Sequence, residues 1–456
     1  MKCSVYWWLA VSSLAMVLQP AWAETRPEYA GTLRLTTRSS LSSLDPADSA
    51  QPDSFARRSI TLLLFDTLVT VDESGHTHAA IADSWQVSSN NQHWQLHVRR
   101  GVKFQDGTPL TTEIVAASLR TANPPWRVTS TQDSVIIESD APEAGILAKL
   151  ALPRNAIAKR DSGKAVGTGP FRVTDWQPGK KLTLVADESY WRGRPFLDTI
   201  EIEMGRSYRD QMTALEAGRA DLIEVAPEQT HRVVLDGREL ETSQAMELDA
   251  IVFSRDAQTA EERSLRDALS WSIDRGSIRT VLLQGAGQPA ASLLPNWISG
   301  YAFVFPVEAD LPRARRAREQ FRTVPTWNLG YEGGDPLLRL VAERIALNAR
   351  DAGLSLQPTS TGVADLRLLR IQLTSADPWI ALSQIASVAG VPVPKNKRNS
   401  LEDLYAAEQA LLSTGRIIPL FHVPISYAAG NKLKDWSTRT DGVLGLADAW
   451  LGSGKP

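Results

Sequence analysis

Gly167 to Met204 reads GTGPFRVTDWQPGKKLTLVADESYWRGRPFLDTIEIEM. Gly167, Gly169 and Pro170 supply a turn, after which Leu182, Leu184 and Ala186 alternate with Thr183, Val185 and Asp187 as in a strand with two unlike faces. In a second strand Ile200, Ile202 and Met204 fall on one face and Glu201 and Glu203 on the other. A slip of one residue would expose every apolar group, so the register is well determined. Gly167-Thr168-Gly169 leads into a strand, whereas a dinucleotide loop leads into a helix.

Outward from this stretch, the first strand spans Gly31 to Thr36, followed by a loop from Thr37 to Pro46 and a helix from Asp53 to Leu68. Trp94, Leu96 and Val98 alternate with His93, Gln95 and His97. On such a strand His93 and His97 are separated by ~13 Å, too far to share a metal ion. Thr111 is placed to cap a helix with Glu113 in its first turn, where the macrodipole favours a carboxylate. Further on, Leu265, Ala268, Leu269, Ser272 and Ile273 repeat at helical spacing, and Asp274 can cap a second helix that stops at Gly285. A longer helix opens with Asp335 as cap and Pro336 at its first position and ends at Gly353, and Leu354 to Gln357 reads as a strand. This αβ unit makes the second half of the chain an α/β layer structure. A last helix from Ser400 to Thr414 closes at Gly415, and IIPLFHVP, from Ile417, returns the chain to its first half.

The first 23 residues carry one charge, Lys2, an apolar run from Val5 to Leu18, and Ala21-Trp22-Ala23 before Glu24. This is the order of a cleaved secretory signal. A membrane-spanning helix needs ~20 apolar residues, and the run is broken by Ser12, Ser13, Gln19 and Pro20. The only cysteine, Cys3, precedes the apolar run, so the chain after residue 23 carries no thiol for a disulfide, a zinc site or a nucleophile. That portion has 433 residues, with 48 basic against 52 acidic. Its length calls for two or more domains, and its charge gives no nucleic-acid footprint. Arg313, Arg315, Arg316, Arg318 and Arg322 spread around a short helix instead of forming a stripe. His76 and His78 could meet on one strand face, but two imidazoles are an incomplete metal site. The motifs G-x-S-x-G, S-x-x-K, H-E-x-x-H and G-x-x-x-x-G-K-[ST] are absent from the sequence.

Taken with the W-x-P-G-K turn, SYWRGRPFLDTI and AGRADL (Ala217 to Leu222), the opening stretch resembles the family 5 extracellular solute-binding proteins, the peptide and nickel receptors of ABC importers. RRGVKFQDGTPLTTEIVAASL, Arg99 to Leu119, is similar to the family's K-G-V-K-F-x-D-G-T-P-x-T-A-E-D-V, and LRDALSWSIDRGSIRTVLLQGAGQPA, from Leu265, is a third match. The resemblance implies an α/β, two-lobed periplasmic binding protein fold with an extra subdomain in lobe one. Mapped by motif, the lobe-one core takes 24–46, 165–252 and 422–456, the extra subdomain 47–164, and lobe two 253–421, after a signal peptide at 1–23. The extra subdomain is short after Ser118, and lobe two lacks much of the family's segment between Pro358 and Leu401. Crossing segments are expected near Val252 to Ser254 and Pro419 to Val423.

The implied function is a monomeric periplasmic receptor that holds a peptide or other small amino- or carboxylate-bearing ligand between its lobes and delivers it to an ABC permease in the inner membrane, without catalysis, metal or cofactor. Nickel chelates, opines, haem and sugars are further ligands of that class. A secreted hydrolase, or a ligandless periplasmic signalling or chaperone-like relative, stands as the alternative. A receptor needs apolar walls and a few polar groups that fix the ligand. Eleven tryptophans remain after residue 23, and two or three are assigned to the cleft. Arg38, Ser39 and Ser40 follow the first strand at its carboxyl end, where open α/β sheets receive ligands, and are candidates to contact one, with plain solvation as the alternative. In lobe two, RIQLTSADPWIALSQI (Arg370 to Ile385) lies where peptide-binding members carry an aspartate that pairs with the peptide's α-ammonium, and Asp377 is the nearest match. Only the final D-P of the family's longer loop is present, and Asp377 also suits the cap of a helix begun by Pro378. Trp379 and Arg370 are the neighbouring candidates, Arg370 through bidentate bonding to a carboxylate.

Overall fold

The computed structural model describes residues 27–72, 75–140, 142, 145–161, 163–301, 305–392 and 400–452. The signal segment 1–23 with its Ala23–Glu24 junction lies outside these residues.

The strands of the opening stretch form as their alternation requires. Strand Lys181–Ala186 pairs antiparallel with Thr199–Glu203, Leu184 facing Ile200 and Leu182 facing Ile202, and all four side chains are buried. Thr199–Glu203 in turn lies parallel to Thr32–Thr36, which places Leu33 and Leu35 beside Ile200 and Ile202. These apolar groups form the core of lobe one with Phe171, Leu222 and Leu433. One eleven-stranded sheet then continues through Leu222–Val225, Ile417–Ala429, Glu239–Phe253, Leu366–Gln372 and Thr326–Gly330 to Ser355–Thr359. In lobe two, Thr326–Gly330 and Ser355–Thr359 are parallel and joined by helix Pro336–Asp351. Asp335 caps that helix by accepting from Leu337 and Leu338 N–H, and Gly353 ends it at φ +79°.

Two long strands, Glu239–Phe253 and Ile417–Ala429, carry the chain between lobes as an antiparallel pair. Their lobe-one neighbour Leu222–Val225 pairs with Ser426 to Ala429, and their lobe-two neighbour Leu366–Gln372 pairs with Glu247 to Phe253. The sheet neighbours of this pair change between 242 and 247 and between 423 and 426, and its ladder shifts register at 242–247 and again at Asp249/Ala250 opposite Phe421/Pro419, within the expected Pro419 to Val423 segment. Residue types do not mark this place, because backbone pairing continues through it.

The region assigned to the extra subdomain holds a four-stranded antiparallel sheet, ordered Ala82–Val87, His93–Val98, Ser134–Glu138, Arg127–Ser130. With helix Thr112–Ala122 it encloses a core of its own that contains Trp94, Leu96, Val115, Leu119 and Ile137. The expected Thr111 cap is present, its hydroxyl accepting from Ile114 N–H at 3.4 Å. On their strand, His97 bonds Asp83 and His93 faces Glu138.

Helix Phe55–Leu64, also inside that region, belongs elsewhere by its packing. Nine of its ten residues are buried, so no face of it is left to solvent. Ile60, Leu63 and Leu64 enter the lobe-one core, while Phe55 packs with Met246, Leu293 and Leu382 on the lobe-two side. It ends earlier than the expected Leu68 because Phe65 turns extended. Two residues later, buried Asp66 accepts hydrogen bonds from Thr168 Oγ1 (2.9 Å), Tyr190 OH (3.0 Å) and Trp191 Nε1 (2.9 Å). The GTGPF turn and the SYWRGRP segment thus meet on one carboxylate. Gly167 and Gly169 allow that approach: a Cβ would stand 1.9 Å from Leu64 O at the first and 2.5 Å from Leu64 C at the second.

Candidate functional site

Between the lobes lies a cavity of about 960 Å³, within the range of small-molecule sites. Three pieces of chain wall it. Helix Phe55–Leu64 and the loop before it contribute Arg57 and Arg58, the extra-subdomain region contributes Asn123 and Trp126, and lobe two contributes Trp379 and Gln384 from helix Pro378–Ala389.

Of the residues singled out in the sequence, the structure brings Asp377 and Trp379 to this wall. Asp377 Oδ1 accepts from Trp379 N–H and Ile380 N–H, both at 3.0 Å, with Pro378 at the first helical position. The capping geometry is complete and uses one oxygen. Asp377→Asn keeps that oxygen and is expected to leave the melting midpoint nearly unchanged, whereas Asp377→Ala is expected to cost ~1 kcal/mol. Thermal unfolding of the two variants checks this, and equal losses in both would contradict the cap.

Arg38, Ser39, Ser40 and Arg370 stand outside the wall of this cavity. Arg38 joins lobe one to lobe two: its backbone N–H donates to Glu224 Oε2 at 2.7 Å, its guanidinium lies 4.6 Å from the Tyr208 ring centroid, and it reaches Asp335 at 3.6 Å and Glu332 at 3.7 Å. The Ser39 carbonyl accepts from Thr37 Oγ1, and Ser40 is exposed with its carbonyl accepting from Gln51 Nε2. Arg370 faces Asp249 across the strand register and binds it through Nε at 2.9 Å and Nη2 at 3.2 Å, with Glu247 at 3.6 Å. The bidentate bond expected toward a ligand carboxylate is made to the protein's own.

This buried group is rich in acid. Burial pushes Glu247 up to about 7, against the pull of Arg370 and with the help of neighbouring Asp249. Burial likewise raises Glu224 and Glu228. A chain of polar contacts joins it to the cavity: Gln384 accepts from Thr374 N–H and donates to the Gln372 carbonyl, and Gln372 Nε2 donates to Glu247 at 3.2 Å.

Arg57, Arg58, Asn123, Trp126 and Gln384 escaped the sequence reading. A signal was present for the first two. Cations in the first turn of a helix oppose its macrodipole, and FARRSITLLL has two there and no acid. Arg57 is held by the carbonyls of Gln51, Pro46 and Asp48, and burial lowers its affinity for the proton.

A family model described as "Bacterial extracellular solute-binding proteins, family 5 Middle" matches residues 76–372. The nickel-binding protein NikA of Staphylococcus aureus is 26% identical over 243 residues, which are 50% of this chain and 49% of that protein. The chain thus spans about half the length of this curated relative, and the same holds for the heme-binding protein A of Haemophilus influenzae, with 49% covered. Among solved structures, the dipeptide binding protein of a Pseudoalteromonas species in complex with Met-Leu superposes with a TM-score of 0.80 at 16% identity, over 92% of this chain and 100% of that one. Such likenesses show a common two-lobed fold.

Proposed function

The chain belongs to the family 5 bacterial extracellular solute-binding proteins, and from that premise we propose that it binds a peptide or another small amino- or carboxylate-bearing molecule in the cavity between its lobes and delivers it to the permease of an ABC importer. The observation that carries this reading is the cavity itself, about 960 Å³, walled by both lobes and by two tryptophans, Trp126 and Trp379. Aromatic walls bury an organic ligand, and the few polar groups among them set its orientation. Asp377 caps its helix with Oδ1, which leaves Oδ2 as an acceptor for a ligand ammonium. The NikA relative is named for nickel and the Pseudoalteromonas structure holds a dipeptide, which supports small polar solutes as the ligand class.

In this reading residues 1–23 are removed on export and the protein works as a periplasmic monomer. No helix among the described residues is long and apolar enough to cross a membrane. Its parts are a lobe-one core, an extra subdomain and lobe two, divided as the motifs divide them except that helix Phe55–Leu64 joins the lobe-one core. The lobes open about the register shifts near 242–247 and 423–426, and binding energy shared across the cavity shifts the population toward the closed form. Native mass spectrometry of protein purified without refolding is expected to show a retained small molecule. Small-angle scattering is expected to give a smaller radius of gyration for that form than for the stripped protein. Identical profiles for loaded and stripped protein would remove the closing receptor.

A further inference from the structure

We propose that Arg58 is the residue that reads a carboxylate on the occupant of the cavity, and that closure of the lobes completes this site; the inference rests on the cavity being the ligand chamber. Arg58 is 3% exposed and forms part of the cavity wall. Its Nε is held by both oxygens of Asp53, at 3.1 and 3.2 Å, and its Nη1 donates to the Leu373 carbonyl of lobe two at 2.7 Å. Among the described residues Nη2 is buried and finds no hydrogen-bond partner, and the guanidinium lies 5.1 Å from the Phe55 ring centroid. A guanidinium carries five N–H donors and no acceptor, so Nη2 keeps donor capacity that an anion or a lone pair on the occupant can use. The planar fork suits a carboxylate.

The wall carries charges of both signs. Among the described residues it holds four cationic side chains, Arg57, Arg58, Lys149 and Arg154, and three carboxylates, Asp48, Asp53 and Asp377. Asp53 already pairs with Arg58, and Asp377 Oδ1 is engaged by its own helix. Arg57 is held by backbone carbonyls, with the carboxylates of Asp53, Asp48 and Asp45 near enough to favour its charged form. Arg58 also spans the cleft: one nitrogen binds lobe two, while the helix that carries it sits in the lobe-one core. Opening the lobes removes the Leu373 carbonyl from this guanidinium. One side chain therefore serves both anion recognition and closure, and an occupant with a carboxylate favours the closed form through it.

The test incubates wild-type protein with a tryptic digest of casein and with the same digest after methyl esterification, which caps the carboxylates, and compares retained species by native mass spectrometry. Retention from the free-acid digest, reduced at least ten-fold by esterification, is expected. Arg58→Gln is expected to lose the preference for free acids, and Arg58→Lys to keep part of it. Esters retained as well as acids, or an Arg58→Gln protein that still prefers acids, would overturn the role of Arg58 and leave the receptor reading standing. Wild type that retains nothing from either digest would overturn both. The esterification arm uses wild type alone, so a folding defect in Arg58→Gln does not obscure the answer.

Discussion

Replacing Arg370 by methionine is expected to destabilise the protein by about 3–5 kcal/mol, because Asp249 and Glu247 would remain buried without their cation. Methionine fills most of the space, so the loss reports charge more than packing. The effect has a pH signature. Glu247 is held at about 7 in the folded protein, above its ordinary 4.5, so the folded state binds that proton more tightly than the unfolded chain. Stability from this group is present at low pH and declines as pH rises from 4.5 through 7. Without Arg370 the carboxylate is pushed further up, and the penalty of ionising it grows. Urea unfolding at pH 5 and pH 8 is expected to show a clearly smaller loss for Arg370→Met at the lower pH. Equal losses at both would mean that the two carboxylates are not what the arginine compensates.

The second large effect is expected at Asp66. Its carboxylate is the common acceptor for Thr168, Tyr190 and Trp191, and Asp66→Ala leaves all three donors without it, Thr168 in a buried site and the two aromatic donors in half-buried ones. An unsatisfied buried donor costs about 1–3 kcal/mol, and the three lie close enough to share relaxation, so a total of about 3–5 kcal/mol is expected. Asp66→Asn keeps one acceptor oxygen and brings an NH₂ toward the remaining donors, which places it between wild type and alanine. Thermal unfolding of the three proteins checks the order. A loss below 1 kcal/mol for Asp66→Ala would show that the GTGPF and SYWRGRP segments are held together by packing alone.

Residue order by itself determined the parts of this protein whose physics is local. Alternation in Leu182–Ala186 and Ile200–Met204 placed two strands because one face of each must be buried, and the register found pairs those same residues. Caps were equally legible: Thr111, Asp274, Asp335 and Asp377 each accept from the first turn of the helix they precede. The family motifs carried the two-lobed architecture, since their spacing belongs to the chain. Partnership across the sheet was a matter for the tertiary structure. Arg370 looked like a candidate for a ligand carboxylate until the strand register set Asp249 opposite it, more than a hundred residues earlier in the chain. The lobe crossing was hidden for a similar reason, because strand Glu239–Phe253 reads the same on both sides of the point where its neighbours change. Arg58 lies in an apolar helix, and only folding brings Leu373 to one of its nitrogens while another finds no partner among the described residues. Local periodicity decides which face of an element is buried, whereas which charges meet inside is decided by elements far apart in sequence.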